Sequence, residues 1–167
     1  LGSYASGIRN YLFVTGDPVA REDREFTKSV FDFNSIRLMK FAQSMNQEVF
    51  KDDTIFYGGA LNQNGAGPEN IAGRMLKKME AGCRYFLTQP VYDKEGIERL
   101  TFLKERTGAK ILIGIMPLVS RRNALFIKNE MPGIHVPDEV VAKYKEGASR
   151  EEFEEAAIEI SKQIIEM

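Results

Sequence analysis

Three short hydrophobic runs in this chain each end in polar or turn-forming residues: YLFVTGDP (residues 11–18), YFLTQPVYD (residues 85–93) and ILIGIMPL (residues 111–118). A fourth run, TIFYGGALN (residues 54–62), lies between the first two. The runs begin at residues 11, 54, 85 and 111, and helix-like sequence fills the gaps. That is the rhythm of strand–helix units in a parallel sheet, whose ligands gather at the carboxyl ends of the strands. Asp17 and Gln89 stand at two of those ends.

The segments between the runs carry their own signals. Residues 1–10 read as the tail of a helix plus a loop, and residues 19–33 as a loop over the site. Asn34 or Ser35 can cap a helix with Ile36, Met39, Phe41 and Ala42 inward. The second strand is expected at residues 55–57, running into Gly58 and Gly59, and residues 62–68 are a loop placing Pro68 in a first helical turn. Ile71, Met75 and Met79 give the inner face of that helix, which Ala81-Gly82 ends. A third strand is expected at 85–87, a helix at 94–106, a fourth strand at 111–115, and a helix through Ala124, Leu125 and Ile127. Two more helices follow the turn at 131–133. The second opens with a Ser149/Glu152 capping box and lines Phe153, Ala157, Ile160 and Ile164 on one face. Four strands in 167 residues fall short of the about 250 of an eight-stranded barrel. The expected fold is α/β: one domain over residues 1–167, either part of a barrel or a small open sheet.

Composition narrows the function classes. A net charge of −1 gives a nucleic-acid or anionic-membrane partner no electrostatic support. No apolar run approaches the about 20 residues of a membrane span. The single Cys83 excludes an intrachain disulfide and points to a reducing cytoplasm; with the single His135 it cannot build an ordinary zinc site, so no metal is expected.

Each candidate residue has two readings. Asp17, between Gly16 and Pro18, either accepts hydrogen bonds from a ligand or stabilises its own turn. Gln89 either reads the edge of a heterocycle with its amide or is a solvated residue before Pro90. Arg74, Lys77 and Lys78 either bind phosphate or form the wet face of a helix. The glycines between 58 and 67 match no dinucleotide or P-loop fingerprint. His135 reads as a packing or surface residue and Cys83 as a small buried hydrophobe.

Five stretches, in order, resemble the methylenetetrahydrofolate reductase family: NYLFVTGDP, FDFNSIRLMK, FYGGALN, KKMEAGCRYFLTQPVYD and GIMPLVSRRNALFIKNEMPGIHVPDEV. The likeness is greatest to the bacterial form fused to a homocysteine methyltransferase domain. It implies a flavin-binding (βα)8 TIM-type barrel of which this chain supplies about strands 4–7 plus C-terminal helices. Such enzymes pass a hydride from NAD(P)H to FAD, then to 5,10-methylenetetrahydrofolate. By this resemblance Asp17 matches an aspartate near the flavin and the folate, where its charge opposes an anionic reduced flavin and favours a cationic folate iminium. Gln89 matches a glutamine bonding the pterin and the nicotinamide amide, and Lys78 a lysine on the cofactor's diphosphate side. Gly16 lies beside the flavin ring, and Asn123 is placed to reach the folate. The family's general-acid glutamate matches no position here. Ala60 and NQNGAG stand where relatives carry a tyrosine and a histidine, and Ile71 where several carry an aspartate, which leaves FMN as an alternative to FAD. The chain alone is expected to be inactive and to self-associate through open barrel edges. Two rival readings are a non-catalytic α/β module binding a pterin or other small molecule, and a purely structural piece.

Overall fold

A computed structural model describes residues 1–167 apart from Asp17, Pro18, Ala20, Arg21, Phe31 and Ala66. The elements run α1 (Gly2–Ala5), β1 (Asn10–Phe13), α2 (Ser35–Glu48), β2 (Phe56–Leu61), α3 (Pro68–Glu80), β3 (Phe86–Pro90), α4 (Lys94–Thr107), β4 (Ile111–Gly114), α5 (Arg121–Glu130), α6 (Asp138–Ala142) and α7 (Arg150–Glu166). The four strands pair in sequence order, all parallel. A doubly wound sheet reverses its strand order at a switch point; here every strand lies beside its predecessor, as in a barrel wall. The fold is α/β, a partial TIM-type barrel. No described helix is long and apolar enough to cross a membrane.

The two faces of the sheet differ sharply. Successive side chains on a strand point to opposite faces, and the helix-facing set (Tyr57, Leu61, Phe86) is buried against α2 and α3 with Met39, Ala72 and Met75. The opposite set is apolar yet open: Leu12, Phe56, Leu87 and Leu112 are 37–54% exposed. In a closed barrel such side chains fill the interior. A second buried cluster holds Tyr92, Leu118, Val136 and Tyr144 against α5–α7.

Local chemistry sets the element ends. Asn34 caps α2 by accepting from the Arg37 N–H at 2.9 Å, and Asp93 caps α4 by accepting from Gly96 N–H at 2.7 Å. Ser149 and Glu152 form the expected reciprocal box at α7. Two strands are longer than the sequence suggests. β2 continues through Gly58 and Gly59 to Leu61, and β3 extends over Thr88 and Gln89 to Pro90. Parallel neighbours on both sides supply enough pairing to hold glycines, and proline is tolerated at the last strand position, so tertiary context overrides the local breakers.

Gly82, just after α3, shows what a turn can demand. Its φ is +88°, and a Cβ there would lie 2.2 Å from the Tyr57 hydroxyl, which donates to Ala81 O at 2.9 Å. Gly82→Ala is therefore expected to cost about 2 kcal/mol or more, since a left-handed non-glycine residue costs about 1–3 kcal/mol before the clash is counted. Urea unfolding of the two proteins checks this.

Candidate functional site

At the carboxyl ends of β1, β2 and β3 opens a cavity of about 640 Å³, walled by the start of α2 and one side of α3. That volume is within the usual range for a small-molecule site. Thr15 closes the β1 side: its hydroxyl accepts from the Ser35 N–H at 3.0 Å, which ties the strand end to the first turn of α2. Ala60 and Asn62 contribute the β2 side, Ile71, Arg74 and Lys78 the α3 side, and Gln89 the β3 side. A second hollow, of about 600 Å³, is lined by Val19 and residues 24–29.

Lys78 is held in place by the sheet beneath it. A Cβ on Gly59 would sit 3.3 Å from Lys78 Cδ, so the missing side chain leaves room for the lysine stem to cross β2. The stem carries Nζ to Ala60 O, to which it donates at 2.7 Å. Burial lowers the Lys78 pKa, the charge of Arg74 lowers it further, and Cys83 opposes the shift. Burial likewise raises the Cys83 thiol, whose Sγ lies 3.2 Å from Tyr85 O.

The lysine shift has a consequence for stability. Between the lowered folded value and 10.5, the unfolded chain binds more protons at Lys78 than the folded one, so stability should rise with pH across that window. Buried Tyr57, Tyr92 and Tyr144 have raised pKa values and act oppositely, removing stability as pH climbs past 10. The lysine contribution is isolated as the difference between wild type and Lys78→Met in urea titrations over alkaline pH. A difference independent of pH would contradict this assignment.

Gln89 lines the cavity, and the hydrogen bonds it makes to described residues all run through its backbone. Its backbone is fully engaged, with Gln63 in particular. The structure thus brings Lys78 and Gln89 into one cavity. Gly16 follows Thr15 with φ +84° and open space where a Cβ would be. Asp17 is outside the described residues. Asn123 is not part of this cavity: its Oδ1 accepts from the Val119 N–H at 3.2 Å while its own N–H donates to Ser120 Oγ at 3.1 Å, a reciprocal cap at the start of α5. His135 is exposed, 3.6 Å from the Asp93 carboxylate, and Cys83 is buried.

Sequence reasoning missed Gln63 and Thr88. Gln63 sits in the least regular stretch of the chain, where a polar residue reads as solvated, yet it is 3% exposed. Residue type and periodicity give no signal for it, because its partner is a strand end 26 residues away.

The sequence model of the family described as methylenetetrahydrofolate reductase matches residues 2–167. No curated protein matches the chain. Among solved structures, an uncharacterized protein from Clostridium thermocellum that binds two copies of 5-methyl-5,6,7,8-tetrahydrofolic acid aligns with a TM-score of 0.56 and 18% identity. The alignment covers 93% of this chain and 59% of that one, so this chain spans rather more than half of that protein's length. At such identity the likeness is one of fold. The family match extends over nearly every residue, and the chain belongs to the methylenetetrahydrofolate reductase family.

Proposed function

We propose that this chain forms part of a flavoprotein that reduces 5,10-methylenetetrahydrofolate to 5-methyltetrahydrofolate with NAD(P)H. One observation carries the reading: in a chain of this family, Lys78, Arg74 and Gln89 line one cavity of ligand size at the strand ends. The residues present fit a flavin. Lys78 and Arg74 on the cavity wall offer cationic donors to a diphosphate, while Gly16, the residue after Thr15 of that wall, brings no side chain; its place beside the flavin ring rests on the resemblance. Ile71 makes the neighbouring wall apolar, so FMN and FAD both stay open. When bound, the flavin supplies the two-electron carrier that accepts and returns a hydride.

The chain's own residues then bind and orient. Gln89 has two N–H donors and one acceptor, a match for the edge of a pterin or for a nicotinamide amide, and so for both partners in turn. Asp17 would favour positive charge on the folate; that role, the folate contact of Asn123 and the fusion to a methyltransferase domain rest on the resemblance. A cytoplasmic setting rests on the single cysteine. The exposed apolar sheet face and the open edges of β1 and β4 support self-association. A monomer throughout a concentration series in sedimentation velocity would contradict it.

The test is calorimetric titration with 5-methyltetrahydrofolate. Wild type should bind, and Gln89→Ala should weaken binding by about tenfold, the usual worth of a desolvated hydrogen-bonding pair. Equal affinity in the two proteins would remove Gln89 from the site. The second reading is a folate-binding module without redox chemistry, suggested by the ligand of the Clostridium thermocellum protein. Folate binding with no uptake of flavin by the same sample would favour it.

A further inference from the structure

β3 carries an irregularity where Gln89 sits. Its pairing with β4 advances from Leu87 opposite Leu112 to Pro90 opposite Gly114, three residues on β3 against two on β4. The extra residue makes a bulge, a device that re-aims a side chain and leaves ladder groups without their regular partners. Side chains take those places. Gly114 N–H donates to the Thr88 hydroxyl at 2.9 Å instead of to a β3 carbonyl, and that hydroxyl donates to Gln89 O at 2.7 Å. From the β2–α3 loop, Gln63 Nε2 donates to Gln89 O at 3.1 Å, and Gln63 Oε1 accepts from the Gln89 N–H at 3.2 Å. One primary amide thus copies both bonds of a neighbouring strand.

Gln63 is itself built in. It is one of two buried polar residues among those described, the other being Ser35 on the cavity wall. Burying an amide is costly unless its hydrogen bonds are made, and here both ends are satisfied by Gln89. The loop around it is shaped by other contacts: Asn62 Oδ1 accepts from Asn64 N–H at 2.9 Å, and Asn64 Nδ2 donates to Gly133 O at 3.1 Å. Removing the Gln63 amide therefore leaves the loop's own fixings in place.

We infer that Gln63 is a positioning residue: by clamping both backbone groups of Gln89 at the bulge, it aims the Gln89 amide into the cavity and so sets recognition of the ligand's heterocycle. The ligand part of this inference rests on the reading of Gln89 proposed above. The clamp itself stands on the geometry alone.

The experiment has two readouts on the same variants. Gln63→Met keeps the volume and removes both hydrogen bonds; should it fail to fold, Gln63→Leu, which also removes both, is measured in its place. Amide hydrogen exchange by NMR should show the Gln89 N–H exchanging at least about tenfold faster in Gln63→Met, with amides inside α4 unchanged. Affinity for 5-methyltetrahydrofolate should fall about tenfold in that variant, and Gln63→Met should add no further loss on a Gln89→Ala background, as residues acting through one contact do. Unchanged exchange at Gln89, or a full second penalty in the double variant, would overturn the inference. If Gln89→Ala alone leaves folate affinity intact, the proposed contact fails, and the exchange rates still decide the clamp.

Discussion

Phe86→Ala is expected to lower stability by about 4 kcal/mol, the upper range for removing a buried aromatic ring. Phe86 is 1% exposed and opens β3, paired to Gly59 on one side and Ile111 on the other. Its ring belongs to the main core with Met39, Met75 and Leu103, and also reaches the floor of the cavity. Glycine on the β2 side has no side chain with which to fill a void, so little collapse is available to reduce the cost. For a chain of this size the loss corresponds to roughly 10 °C in melting temperature. Phe86→Leu, which returns most of the volume, should cost about 1.5 kcal/mol. Equal effects from the two variants would show that the ring's bulk is not what holds the β3 end of the cavity.

Lys78→Met should separate stability from binding. A methionine keeps an apolar stem across Gly59, and it removes a charge that the surroundings already disfavour, as the lowered pKa shows. Stability near neutral pH is therefore expected to stay within about 0.5 kcal/mol of wild type or to rise. Affinity for a diphosphate-bearing ligand should fall about thirtyfold, because a charge-assisted hydrogen bond in a partly buried site is among the stronger single contacts. A half-buried cation that stability does not need is best explained by the ligand it serves. A large loss of stability with unchanged ligand affinity would instead make Lys78 a structural anchor for Ala60 O.

Much of this architecture was legible before the structure. Apolar runs with turn-forming ends, alternating with helix-like sequence, pointed to parallel strands, though not to their order, and the caps at Asn34 and Ser149 are local chemistry that short sequence patterns report directly. The lengths of β2 and β3 were less legible. Gly58, Gly59 and Pro90 break strands locally, and only pairing to neighbours far along the chain holds them in one. At the site, strand ends and amphipathic helices have readable positions, which made Gln89 and the stripe of Arg74, Lys77 and Lys78 candidates, and the family resemblance singled out Lys78. That Lys78 and Gln89 meet in one cavity could not be read in this way, since it depends on the empty side of Gly59 and on a bulge in β3. Gln63 left no trace at all: its significance lies wholly in what it touches. Asn123, suggested by resemblance, is not on this cavity, and its side-chain oxygen accepts from the Val119 N–H just before α5.

The most direct test of the cavity as a cofactor site is a difference-absorption titration of the purified chain with FAD, run beside Lys78→Met. A saturable shift of the flavin bands in wild type, with affinity about thirtyfold weaker in the variant, is the expected result. No spectral change at high FAD, or identical binding by the two proteins, would contradict the placement of a flavin against Lys78.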